Sequence, residues 1–225
     1  MMKLSAEKIT RNYFRQGKGT NFFTAVAPVD FTLEEGKLTE LVGRSGSGKT
    51  TFINMLAGLL TPTEGRVLLD GRDLYAMDDN ERSAVRSGSI GVIPQGQTGL
   101  QGLTVLENVL IPSAMYGGSK TKTELAHKLL EKMGIDDLCD VYSNELSGGE
   151  LRRMAIARAL INEPKIIIAD EPTADLDDDT TKQVMELFKS KATEGCSVLI
   201  VTHERESMKY ADLIYKMENG KLPKE

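Results

Sequence analysis

The stretch VGRSGSGKTT, Val42 to Thr51, constrains this chain more than any other. Three glycines and two serines surround one lysine, Lys49. The apolar run LTELV leads in, and FINMLAGLL, with helical spacing, leads out. Gly43, Gly46 and Gly48 open backbone angles closed to other residues, so successive amide N–H groups can point at one anion. A helix beginning near Lys49 adds its positive end. Lys49 can reach the β- and γ-phosphates of a nucleotide, and the Thr50 hydroxyl suits a place on magnesium. With Arg44, Ser45, Ser47 and Thr51, these residues make the G-x-x-x-x-G-K-[ST] phosphate loop. A Gly/Ser linker would not lie between an apolar strand and an amphipathic helix.

The chain has 225 residues, enough for one large domain or a core with a subdomain. Its net charge of -5 argues against a nucleic-acid binder working by bulk charge. The N-terminal stretch MMKLSAEKITRNYF has charges where a signal peptide needs an apolar run, so no export is expected. The longest uncharged run, Ser87 to Leu106, holds five glycines, a proline and three glutamines, which excludes a membrane helix. Cys139 and Cys196 lack metal-ligand spacing and read as free thiols in a reducing cytoplasm. The ten methionines read as core filler.

KLSAEKIT alternates like a strand, and FTAVAPVDFTLEEG reads as a strand, a turn and a strand closed by Gly36. After Gln95 the segments LTVLENVLIPSAMYG, TKTELAHKLLEKMG and GGELRRMAIARALINEP are helix-like. KIIIADEP and CSVLIVTHE then return as apolar β-branched runs ending in polar residues, the pattern of buried parallel strands with functional carboxyl ends. The expected organisation is one domain over 1–225. Its α/β nucleotide-binding core is 1–95 and 158–225, and a helical insertion occupies 96–157.

Asp170 ends an apolar strand, where its carboxylate can face the phosphate loop and hold magnesium. Glu171, next in sequence, is a candidate base for the water that attacks the γ-phosphate. Ser147, Gly148 and Gly149 precede a long helix starting near Glu150, which makes a second anion cup. Two phosphate cups far apart in one chain make sense if two molecules face head to tail. Each nucleotide then lies between the phosphate loop of one and this second cup of the other.

The whole motif set resembles that of ATP-binding-cassette ATPases, the nucleotide-binding subunits of transporters. GRSGSGKT matches the phosphate loop, IIIADE the magnesium-binding strand with its glutamate, and LSGGE the family signature. ADLD matches the dimer-facing loop and VTHE the switch histidine loop, in family order over essentially the whole chain. The resemblance implies a P-loop NTPase core with a mostly parallel sheet, an N-terminal antiparallel β part and an inserted helical subdomain. It implies ATP and Mg2+ as ligands. Gln95 is then expected to contact magnesium, with Gln97 and Gln101 as neighbouring alternatives. His203 is expected to reach the γ-phosphate and orient Glu171. Asp177 is expected to cross the dimer interface. Tyr13 takes the place of the aromatic that stacks on adenine, with Phe14 as its rival.

The sequence departs from many relatives at Glu150, where glutamine is common, and at ADLD, where many importers have SALD. These features look most like the lipoprotein-release and macrolide or antimicrobial-peptide export branch. The resemblance implies an ATPase that dimerises on ATP and drives a separate integral-membrane permease from the cytoplasmic face of the membrane. A cell-division cassette that signals without transport is the alternative. A soluble cassette of DNA repair or translation is the second, although no coiled coil or zinc module is visible and no nucleic-acid partner is expected. The apolar segment Gly96 to Gly117 is a candidate dock for a permease helix. The alternative is that Leu100, Leu103, Val105 and Leu106 pack inside the helical subdomain.

Overall fold

The computed structural model describes residues 2–14, 22–96, 99–115, 122–203 and 206–223. Two sheets organise them. A parallel sheet runs in the order β6 (Ile90–Ile93), β7 (Ile166–Asp170), β8 (Ser197–Val201), β3 (Leu38–Val42), β9 (Leu213–Lys216). An antiparallel sheet runs β2 (Phe22–Leu33), β1 (Leu4–Phe14), β4 (Glu64–Leu69), β5 (Arg72–Asp73). Every residue of β7 and β8 is buried, as a parallel sheet covered on both faces requires.

Alternation along each strand assigns its side chains to two cores. Ile166 and Ile168 of β7, with Leu41 of β3, face the antiparallel sheet. Between the sheets lies α1 (Lys49–Leu56), whose Phe52, Met55 and Leu56 are fully buried there. Ile167 and Ala169 turn to the opposite face, with Leu38 and Val198. That face is covered by α6 (Asp178–Thr193) through Val184 and Phe188, and by α5 (Gly148–Leu160) through Met154 and Ile156. Polar α2 (Asp79–Ser89) precedes β6. α3 (Val105–Met115) and α4 (Thr123–Lys132) pack on α5, so the described residues between β6 and β7 contain helices and short turns.

One expectation fails. The sequence from Phe22 to Leu33 is a single strand with no turn at Ala27–Pro28. Pro28 lacks an N–H, which would break a central strand. β2 is an edge strand, so no ladder bond is lost on its open side. The Ala27 N–H instead donates to Gly220 O at 2.8 Å, tying the strand to the C-terminal segment.

Candidate functional site

The phosphate loop follows β3 directly, at the carboxyl end of the parallel sheet, where α/β folds bind ligands. Two of its glycines are enforced by close approach. A Cβ on Gly48, at φ 102°, would collide with the Ala25 carbonyl, and one on Gly43 with that of Met217. Lys49 donates to Gly43 O at 2.8 Å and Arg44 O at 3.0 Å, so its ammonium already sits at the centre of the loop.

A cleft of about 900 Å³ opens over the loop. Gly43, Arg44, Ser45, Gly46, Gly48, Lys49, Thr50 and Thr51 form its floor, as expected. Ser47 is different. It is buried behind the loop, and its side chain does not line the cleft.

Opposite the loop, the ends of β6, β7 and β8 bring together Gln95, Asp170, Glu171 and His203, all lining the cleft. The Gln95 amide donates to Glu171 Oε2 at 3.1 Å. His203 Nδ1 lies 3.1 Å from Glu171 Oε1. A carboxylate accepts, so this contact selects the Nδ1–H form of the ring. Glu171 adopts φ 50°, a conformation uncommon for a long side chain. Its own N–H, donating to Val201 O at 2.8 Å, holds it there. Gln101 does not line the cleft, and Gln97 lies outside the described residues.

Asp170 is 3% exposed, and burial pushes its carboxyl pKa up, with Thr50 hydrogen bonding and Lys49 opposing. Its Oδ2 has no hydrogen-bond partner. A buried oxygen without a donor, beside a threonine hydroxyl and a glutamine amide, suits a hard cation. Magnesium typically takes one or two carboxylates and completes its shell with phosphate and water, so this donor set fits it.

At the other end of the cleft stand Tyr13 and Phe23, paired across β1 and β2. Strand alternation turns the next pair, Phe14 and Phe22, to the opposite side, where their rings meet edge to face at 5.8 Å. Phe14 therefore does not line the cleft, and Tyr13 does. The sequence reading missed Phe23 and Ala25. The signal was the hairpin itself, whose register places Phe23 beside Tyr13.

Ser147, Gly148, Gly149 and Glu150 form the N-terminus of α5 and do not line this cleft. Ser147 Oγ donates to Glu150 Oε2 at 2.7 Å, and Glu150 Oε2 also accepts from the Ser147 N–H at 2.7 Å. These bonds hold the Glu150 carboxyl below its usual pKa. A Cβ on Gly149 would press on Asp175 O at 3.2 Å, so the signature abuts the ADLD loop. Asp177 caps α6, accepting from Thr180 N at 2.9 Å and Thr180 Oγ1 at 2.7 Å. A further residue had no sequence reading: buried Arg152 of α5 donates to Pro94 O at 3.1 Å, joining the signature helix to the residue before Gln95.

The ABC transporter family model matches residues 26–174, which span the phosphate loop, the signature and the Asp170–Glu171 pair. The chain belongs to the ABC transporter family. This ABC cassette is 42% identical over 207 residues to an uncharacterized ABC transporter ATP-binding protein of Methanocaldococcus jannaschii, covering 92% of each chain. It is 38% identical to the lipoprotein-releasing system ATP-binding protein LolD of Buchnera aphidicola, covering 89% of each. It is 36% identical to a putative hemin import ATP-binding protein, HrtA, of Staphylococcus haemolyticus, covering 98% of this chain and 99% of that one. A bacterial ABC transporter cassette solved as a dimer superposes with a TM-score of 0.91 at 32% identity, over 98% of this cassette and 97% of the other. The same fold has been solved in a post-hydrolysis state bound to ADP and phosphate, with a TM-score of 0.90. The cassette is an ABC ATPase.

Proposed function

We propose that this ATPase closes head to tail around two ATP molecules and opens on hydrolysis, driving a membrane permease carried on another chain. One observation carries the reading. The cleft is lined by the phosphate loop and by Gln95, Asp170, Glu171 and His203, while the signature residues lie outside it. A second copy can supply Ser147 and the α5 N-terminus to the open side, and the dimeric relative supports that arrangement.

In this reading Tyr13 stacks on adenine, Lys49 and the loop amides hold the phosphates, and Asp177 faces the partner copy. Thr50, Asp170 and Gln95 would hold magnesium, which when bound offsets charge on the phosphate oxygens. Glu171 accepts a proton from the attacking water, with Gln95 and His203 fixing its two oxygens. The rest of catalysis is positioning and charge stabilisation.

Among the described residues no helix is long and apolar enough to cross a membrane. A peripheral place on the cytoplasmic face, through the permease, follows from the kinship with transporter subunits. A groove of about 320 Å³ between α2, α3 and the end of α5 offers the dock, with Leu59, Ile111 and the 69%-exposed Met115 along it. Ile90 and Val92 of β6 also line it, and β6 leads directly to Gln95. We assign it a short cytoplasmic helix of the permease with an apolar face. Of the four residues weighed from sequence, Val105 is fully buried, Leu103 and Leu106 are half-buried and Leu100 is exposed. Names among the relatives point to lipoprotein release and hemin import, and the sequence features favour export or release of a peptide, lipoprotein or hydrophobic compound.

The test is a Lys49→Ala protein mixed with a Ser147→Arg protein, each inactive alone. Mixed dimers place both defects in one site and leave the other intact. Recovery of ATPase activity on mixing supports the head-to-tail reading, and two mutants that fail singly for misfolding would not complement.

A further inference from the structure

The β1–β2 hairpin is irregular where it meets the phosphate loop. Arg11 pairs with Val26 but Asn12 pairs with Thr24, which leaves Ala25 without an opposite residue. A bulge of this kind re-aims the side chains beyond it. The Ala25 carbonyl is the one that abuts Gly48, and the next pair out is Tyr13 and Phe23, both lining the cleft. Arg11 and Tyr13, two residues apart on β1, share a face of the strand. The Arg11 guanidinium carbon lies 4.9 Å from the centre of the Tyr13 ring. Tyr13 lines the cleft and Arg11 does not, so the guanidinium covers the ring from outside and leaves its cleft side bare.

Arg11 is itself anchored. Its Nη1 donates to Thr61 O at 2.8 Å, and its buried Nε makes no hydrogen bond. Among the described residues no carboxylate pairs with it, so one carbonyl and one ring face hold the guanidinium. Two neighbouring bonds fix the same junction: the Asn12 N–H donates to Thr63 Oγ1 at 3.0 Å, and the Thr63 N–H to Thr10 O at 2.8 Å. The segment 61–63 lies just past the carboxyl end of α1, whose first residues are Lys49 and Thr50. The ring is thereby tied to the helix that starts at the phosphate loop. Tyr13 is 36% exposed, and a ring that exposed would otherwise move between rotamers. A cation over its face is attracted to the π-electrons and holds it in one orientation. Ordering the ring before the ligand arrives removes that cost from binding.

We propose that Arg11 is a positioning residue for the nucleotide base, which backs the Tyr13 ring so that the opposite face receives adenine in a stack of guanidinium, phenol and purine. The proposal rests on reading Tyr13 as the adenine platform. Phe23, beside Tyr13 on the paired strand, closes the edge of the same base site. The guanidinium also draws π-electron density toward the rear of the ring. The front face then meets the electron-rich face of a purine with less repulsion. Arg11 touches no part of the nucleotide in this arrangement, and its whole effect on binding passes through Tyr13.

The experiment measures dissociation constants for Mg-ADP and for magnesium pyrophosphate, which has no base, in wild-type protein, Arg11→Met, Tyr13→Ala and the double variant. Arg11→Met should weaken ADP binding about three- to tenfold, the range of a partly desolvated cation–π contact, and change pyrophosphate binding less than about twofold. With Tyr13 already replaced by alanine, adding Arg11→Met should change ADP binding less than about twofold, because the partner through which it acts is gone. Equal losses for ADP and pyrophosphate would mean a disturbed phosphate loop and overturn the proposal. So would an Arg11→Met loss that persists in full without the Tyr13 ring, or no loss at all. Should Arg11→Met not fold, Arg11→Gln takes its place with the same expected and contrary results, since its amide can still donate to Thr61 O. Tyr13→Ala separates the two readings. If it keeps wild-type affinity for ADP, the stacking assignment fails and the proposal with it. If it weakens ADP while the Arg11 variant does not, the stacking assignment stands and the role of Arg11 alone is overturned.

Discussion

Glu171 is held at both carboxylate oxygens and by its own backbone N–H, so replacing it tests chemistry more than folding. Glu171→Gln should keep ATP affinity and lose about 100-fold or more of turnover, the range expected when a positioned base is removed. Steady-state hydrolysis with equilibrium nucleotide binding checks both halves. Tyr13→Ala should weaken nucleotide binding by about 1–3 kcal/mol if its face stacks on adenine, as aromatic rings do with bases. Tyr13→Phe should cost much less, and Phe14→Ala, on the other side of the hairpin, almost nothing. Isothermal titration with a non-hydrolysable ATP analogue would show this, and a larger loss for Phe14→Ala would reverse the assignment. Most cleft residues were legible because phosphate chemistry demands their types at fixed spacing. Phe23 was not, since only strand register brings it to Tyr13. Ser47 belongs to the loop by its backbone, and its buried side chain does not line the cleft. Glu40, 0% exposed with neither carboxylate oxygen hydrogen-bonded, sits in an apolar run, where sequence gives no sign of its missing partner.

At the scale of elements, the α5 N-terminus has a capping role and a proposed role at the partner copy's phosphates, and the two are separable. Its capping box satisfies orphan amides, so Ser147→Ala should cost about 0.5–2 kcal/mol of stability. Ser147→Asp keeps a capping oxygen but sets a negative charge against the partner's phosphates. It should remain close to wild type in thermal unfolding and fail in ATP-driven dimerisation. Urea unfolding and gel filtration separate the two effects. β3 carries a different burden. Burial raises the folded-state pKa of Glu40 to about 7, above its ordinary value of 4.5, so its contribution is fully present below pH 4.5 and is lost as pH rises through 7. That loss, discounted for local relaxation, is about 1–3 kcal/mol, and Glu40→Gln should remove it from a plot of unfolding free energy against pH. Strands β7 and β8 were legible as unbroken β-branched runs, and α3, α4 and α5 by helical spacing. β2 was broken in the sequence reading because Pro28 looks like a turn until the strand is known to lie at an edge. Half-exposed β9 is too short to announce itself, and its place beside β3 is fixed by tertiary pairing.

In the proposed head-to-tail dimer, the phosphate loop of one copy is completed by the signature cup of the other, which lies outside the cleft of its own chain. The groove beside Met115 is lined by Ile90 and Val92 of β6, the strand that leads to Gln95, and in the proposed reading this strand would link nucleotide state to the permease dock. Met115→Glu should abolish co-purification with the membrane partner while the isolated subunit still folds and binds ATP. Retention of the partner would place the dock elsewhere. The central claim is that ATP is the glue between two copies. Light scattering coupled to gel filtration on Glu171→Gln, with and without Mg-ATP, tests it most directly. The expected result is a monomer without nucleotide, a species of twice that mass with ATP, and a return to monomer when Ser147→Arg is added to the same chain. A Glu171→Gln protein saturated with ATP and still monomeric at high concentration would contradict the account.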